Sequence, residues 1–379
     1  MHNSIGIFTI HSNTNFGGGL QQIALFEILS ELGYKPQVVC LQNDTPKSIW
    51  RRILGVVCSY GIRNVVRELR SRILKNHGSN AGNYGLYRRC DAFNYATLNY
   101  TPKFGMKDLP GYCKRYDAII VGSDQVWTDV YSAVLPYFCD GIGDFFGKRI
   151  AYAACSVHNS VPFYNRDYVR TLLDKFDGIS VRDRTTARMV ENVGLETPAI
   201  VADPSLLYDY EKYIKPVQYD EPYIFAYVLD DKSSEWHTKN IDHIRKNIGN
   251  LKVVAITVEL DDEYPWANEV LRDELSVDWM NLLRCSAFVY TNSFHATIFS
   301  LKFHREFIAY YGDLIRSSRM IDLRDQFLLH DRIVKNPLLC DLRKPLPFEF
   351  TDKIIAELKM NSLLWLKEKL VGIEDCREE

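Results

Sequence analysis

The chain has 379 residues, 46% of them hydrophobic and 25% charged, with 46 Lys and Arg against 48 Asp and Glu for a formal net charge of −2. That length exceeds what one hydrophobic core usually organises and predicts two domains, while the even charge gives no overall pull towards nucleic acid. The nine cysteines form no Cys-x-x-Cys pair and no metal-like cluster, so reduced thiols, a cytoplasmic setting and no bound metal are expected. Met1 leads straight into a strand-like run rather than a signal peptide, and apolar runs stop short of the roughly 18 residues a membrane-spanning helix needs.

Taken in order, Ile5 to Ile10 reads as a short apolar strand, Leu20 to Leu32 as an amphipathic helix stopped by Gly33, and Gln37 to Leu41 as the next strand. The intervening loop, 11–19, ends in Gly17-Gly18-Gly19. Its spacing is not the dinucleotide fingerprint, and a plain tight turn fits it as well as a binding loop does. From Asp44 to Asn76 the chain turns basic: Lys47, Arg51, Arg52, Arg63, Arg67, Arg70, Arg72 and Lys75 stand against Asp44 and Glu68, eight minus two leaving +6. Two readings fit this segment. It is a peripheral contact with an anionic membrane face, with Trp50 at headgroup depth, or a solvated helix pair packed on the first domain.

Strands resume at Asp117 to Val121, followed by Gly122-Ser123-Asp124-Gln125-Val126-Trp127, and at Arg149 to Cys155, closed by Ser156. A helical run from Asn165 to Lys175 precedes a strand at Gly178 to Val181, which ends in Arg182-Asp183-Arg184. A helix from Thr185 to Asn192 then leads to Ala199 to Ala202 and Asp203-Pro204. Polar turns after buried strands mean little singly, but several on one sheet edge are what a ligand site looks like.

Asp209 to Glu221 lacks periodicity and is predicted to be a linker; a second α/β set begins at Tyr223. The expected organisation is an N-terminal domain over 1–208, a C-terminal domain over 222–345, and a helix within 350–372 that crosses back to the first domain. In the second set Ala287 to Thr291 reads as a buried strand and Ala296 onwards as a helix, with Asn292-Ser293-Phe294-His295 between. Ser293 and Thr297 would flank His295 near a helix N-terminus, where free N–H groups favour an anion. Locally this fits an anion pocket holding a titratable group; a histidine that merely caps the turn fits too.

Five stretches together resemble the polysaccharide pyruvyl transferase family: Asn15 to Gln21, Gly122 to Trp127, Val181-Arg182-Asp183, Asp203 to Leu207 and Thr291 to Thr297. The resemblance runs from about residue 5 to about residue 330 and rests on the order of the set more than on any one motif. It implies an α/β fold of two Rossmann-like domains facing a cleft, GT-B-like, with phosphoenolpyruvate as donor substrate, a sugar hydroxyl pair as acceptor and no cofactor. It also implies that His295 is catalytic and that Arg182, Ser293 and Phe294 lie on the donor side. Some members carry Arg-Leu-His where this chain has Ser293-Phe294-His295, so an arginine must come from elsewhere, and Arg319 is the nominee. Asn15, Asp124 and Gln125 offer hydrogen-bonding groups to the acceptor, expected to be a lipid-linked oligosaccharide at the inner membrane face. A nucleotide-sugar glycosyltransferase of the same architecture is the alternative, and a sugar-binding protein without activity a third.

Overall fold

The computed structural model describes residues 3–10, 15–41, 92–128, 130, 135–230, 234–259, 263–312 and 314–373. The basic segment 44–76 and residues 11–14 of the loop preceding α1 lie outside the described residues. Two six-stranded sheets organise the rest. The first takes β1 (Ser4–Phe8), β2 (Lys35–Val38), β3 (Ala118–Val121), β4 (Lys148–Ala154), β5 (Gly178–Val181) and β6 (Ala199–Ile200) in the order β2-β1-β3-β4-β5-β6. The second takes β7 (Tyr223–Tyr227), β8 (Lys252–Ile256), β9 (Glu269–Leu271), β10 (Phe288–Thr291), β11 (Glu306–Tyr310) and β12 (Ile333–Val334) in the order β12-β11-β10-β7-β8-β9.

Every pairing is parallel, which requires both faces of each sheet to be covered and accounts for uniformly buried strands such as Ala118–Val121 and Phe288–Thr291. In each sheet the strand order reverses once, between β1 and β3 and between β7 and β10. In open parallel sheets ligands bind beyond the carboxyl ends of the strands at such points.

The helices are α1 (Phe16–Glu31), α2 (92–97), α3 (Leu109–Cys113), α4 (Arg166–Leu173), α5 (Arg184–Asn192), α6 (Pro204–Leu207), α7 (Glu235–Ile248), α8 (Ser276–Cys285), α9 (Phe294–Lys302), α10 (Leu314–Phe327) and α11 (Phe348–Leu370). Two findings differ from the sequence reading. Gly17, Gly18 and Gly19 form the first turn of α1 rather than a loop, and α1 is buried almost all round rather than amphipathic. The cause is shared: α1 packs on the first sheet and also against α6, α8 and α9, so one hydrophobic core runs from Ile5 and Leu20 to Trp279 and Phe299. The segment predicted as a linker is pinned as well. Tyr210 is fully buried and donates its hydroxyl to Leu20 O, and Asn281 Oδ1 accepts from Lys215 N.

After the second sheet, α11 returns to the first. Ser362 Oγ accepts from Ala202 N at 2.8 Å, Tyr34 donates to Leu370 O, Lys148 Nζ reaches the carbonyls of Lys369 and Val371, and Trp365 packs by Tyr152.

Candidate active site

His295 is the second residue of α9, placed just past the carboxyl end of β10. Ser293 caps the helix: its side chain accepts from Ala296 N, while its own N–H donates to Thr291 Oγ1. Ser293 is thereby committed to shaping the turn. Opposite, Asn15 caps α1 by accepting from Gly17 N and Gly18 N, and a Cβ placed on Gly17 would lie 2.1 Å from His295 Cβ. Backbone of the first domain therefore touches the histidine of the second.

Around His295 the first domain contributes three strand ends. Arg182, directly after β5, donates from Nη1 to Asp203 Oδ2 at 2.6 Å and from Nη2 to Asp124 Oδ1 at 3.2 Å. Asp203 follows β6 and caps α6, its Oδ1 accepting from Ser205 N at 2.9 Å. Its Oδ2 also takes Ser123 Oγ at 3.5 Å and stands 3.7 Å from His295 Nε2. That imidazole nitrogen is buried and has no hydrogen-bond partner. Asp124 adopts φ +74 in the turn after β3, a left-handed conformation that Asp tolerates better than most residues.

Phe294 joins the two arginines. The guanidinium of Arg182 lies 4.4 Å from its ring centroid and that of Arg319, from α10, lies 5.8 Å away, distances at which a cation is drawn to an aromatic face. Burial by itself would raise the Asp124 carboxyl, but Arg182, His295 and Arg319 together hold it below the usual carboxylate range. Asp203 behaves likewise, burial being overcome by His295 and Arg182. Arg319 moves the other way: burial and the like charge of Arg182 depress its guanidinium. Two guanidiniums drawn together over one ring, the second with no ion pair of its own among the described residues, are groups that could hold an anion.

The nominated residues thus fall into groups. Arg182, Phe294, His295 and Arg319 come together, and Asp124, nominated for the acceptor, joins them through Arg182. Asn15 caps α1 two residues before Gly17, which touches His295, and Gln125 is half-buried beside Asp124. Asp203 lies within one of the five stretches, and its signal in the sequence is a carboxylate directly before a proline that starts a helix. Cys155 was passed over. Its thiol donates to Asp183 Oδ2 at 2.9 Å, and burial and Asp183 push it up to about 12, which leaves it an inert donor steadying the cap of α5.

A cavity of about 20 Å³ remains between Arg182, Asp203, Phe294, Arg319 and Asp322. That is room for roughly one water molecule, so a larger ligand enters only as these side chains or the two domains part. Among the described residues no group of three His, Cys, Asp or Glu is placed to hold a metal ion, and no helix is long and apolar enough to cross a membrane.

Two parallel α/β domains, each with one reversal of strand order, with buried arginines and carboxylates where they meet, define a protein of the GT-B architecture. Solved structures agree on that fold. UGT89C1 of Arabidopsis thaliana, complexed with UDP-L-rhamnose, matches with a TM-score of 0.54 at 10% identity over 98% of this chain and 100% of that one. A Listeria monocytogenes protein described as a UDP-N-acetylglucosamine 2-epimerase matches with a TM-score of 0.50 at 9% identity, over 97% and 91%. The chain belongs to the polysaccharide pyruvyl transferase family, whose model matches residues 15–313. No curated protein matches the sequence.

Proposed function

We propose that the protein transfers a pyruvyl group from phosphoenolpyruvate to a sugar of a cell-surface polysaccharide or its lipid-linked precursor, forming a cyclic ketal. The observation that carries this reading is the pair of arginines over Phe294 beside His295, because the donor bears two anionic groups, a carboxylate and a phosphate, each matched to a planar guanidinium fork. Protonation of the donor's methylene carbon makes C2 an oxocarbenium-like centre. One sugar hydroxyl adds there and loses its proton, the C2–O bond to phosphate breaks, and the second hydroxyl closes the ring with loss of its own proton. The His295 imidazole can deliver and collect these protons, while the guanidiniums hold the charge on the departing phosphate. Asn15 and Gln125 remain the acceptor-side candidates, and Asp124 is reassigned to orienting Arg182.

The test is release of inorganic phosphate from phosphoenolpyruvate in the presence of a lipid-linked oligosaccharide, with a pyruvyl mass shift on the product. Release of UDP from a UDP-sugar instead would replace this reading with a glycosyltransferase. His295→Ala is expected to lower turnover by roughly 10²–10⁴-fold, the usual loss when a general acid or base is removed, with the circular dichroism spectrum kept. Arg182→Lys retains the charge but loses the fork, so donor affinity should fall; activity and affinity near wild type in both folded variants would remove the site assignment.

A further inference from the structure

The buried guanidiniums at the domain junction leave no surplus positive charge for a ligand. Asp124 and Asp203 pair with Arg182, and the buried Asp183 acts on Arg319 from further off, so two positive charges stand against three negative ones. An anion entering beside the arginines adds to that negative charge, and a buried net charge is costly unless something neutralises it. The group placed to do so is His295, whose buried Nε2 lacks a partner and stands 3.7 Å from Asp203 Oδ2. In the structure that same carboxylate oxygen is held by Arg182 at 2.6 Å.

We propose that Arg182 and Asp203 form a relay: an anionic donor that engages the Arg182 fork draws it from Asp203, and the freed carboxylate turns to His295 Nε2 and holds a proton there, taken from solvent. The proposal rests on the donor reading above and deepens it, because it makes the acid form of His295 a consequence of donor binding. Arg182 touches the donor; Asp203 is a positioning residue.

Among the described residues the nearest rival is Asp124, which also feels His295 but is bonded to Arg182. Asp183 spends its carboxylate on Cys155 and on the first turn of α5 through Thr186, and Asp322 of α10 accepts from Arg184 N and Thr185 N. The first turn of α1, packed on His295, carries no acidic residue. Asp278 of α8 faces Lys215, and Lys359 of α11 acts on Lys302 at the far end of α9. Asp124 remains as the second carboxylate of Arg182, so the arginine keeps one protein partner when Asp203 lets go.

Titration calorimetry of the full chain with phosphoenolpyruvate near pH 8, in two buffers of different ionisation enthalpy, reads protons taken up on binding. At that pH the ligand's phosphate, with a second pKa of about 6, is already ionised, so uptake comes from the protein. Wild type is expected to take up a proton, His295→Gln none, and Asp203→Asn markedly less. The alkaline limb of the turnover profile in Asp203→Asn should move down by about one to three pH units, the usual effect of losing a neighbouring opposite charge. A merely structural Asp203 would lower activity without moving that limb. Uptake absent in wild type, or equal in folded Asp203→Asn with an unmoved limb, overturns the relay; uptake retained in His295→Gln overturns it even if Asp203→Asn does not fold. Inorganic phosphate serves as a second anion. Uptake with phosphate but no binding of phosphoenolpyruvate keeps the relay and removes the donor reading, whereas uptake with neither anion overturns the relay itself.

Discussion

Gly17 has no side chain because His295 occupies the place one would need. A Cβ there would sit 2.1 Å from His295 Cβ and 2.5 Å from its Cγ, far inside van der Waals contact, and neither neighbour has slack: His295 is 2% exposed and Phe16 1%. Overpacking of this kind costs typically about 1–3 kcal/mol, and here the strain falls on the imidazole itself. Gly17→Ala is therefore expected to lose turnover far beyond its loss of stability, read by running a kinetic assay and a denaturant melt on the same preparation. A Gly17→Ala protein with wild-type turnover would mean that α1 does not set the position of His295.

At the level of elements, α11 is the strap between the domains, and its effect on the site is local. Ser362 Oγ satisfies Ala202 N, next to Asp203, and Ala202 is only 5% exposed. Ser362→Ala strands that buried N–H, a loss of about 1–3 kcal/mol, to be seen as a lower urea midpoint and, because Asp203 is the next residue, as reduced activity. An unchanged midpoint would show that the strap does not hold this turn. The same scale explains what the sequence made legible. Strands β1, β3, β4, β5, β7, β10 and β11 announce themselves as apolar runs with polar turns behind them, and His295 falls behind one of those runs. The three-residue edge strand β9 and two-residue β12 carry too few residues for a pattern, and 258–276 reads as a polar loop. The first turn of α1 was unreadable for another reason: glycine costs a helix about 1 kcal/mol per residue, so Gly17-Gly18-Gly19 argues locally for a loop. What overrides it is close approach to His295 and to Asn94 and Ser276 beside Gly19, contacts supplied by residues far along the chain. Arg319 was legible only as a missing arginine, since its meeting with Phe294 depends on how α10 packs.

Across the whole molecule, the junction between the domains is held by groups whose charge depends on pH. Asp124 and Asp203 are both held below their ordinary value of 3.8. A carboxylate depressed in the folded state stabilises fully above its unfolded value, and that contribution is lost as pH falls through its lower folded value. Asp322 has the opposite sign: burial and Asp183 raise it, so its contribution is greatest in acid and fades as pH rises above 3.8 through its raised value. Breaking a buried pair from one side costs about 3–5 kcal/mol, and since Arg182 retains Asp124, Asp203→Asn should fall at the lower end near neutral pH. Below pH 4 the comparison reverses in slope. Wild type sheds the Asp203 contribution as it acidifies, whereas Asp203→Asn has none to shed, so their urea midpoints should converge towards strong acid. Asp322→Asn, which keeps an acceptor for Arg184 N, isolates the opposing group: its midpoint should gain on wild type as pH rises from 4 to 7. Parallel curves for wild type and Asp203→Asn across the acid range would mean that the charge of Asp203 does not stabilise the fold.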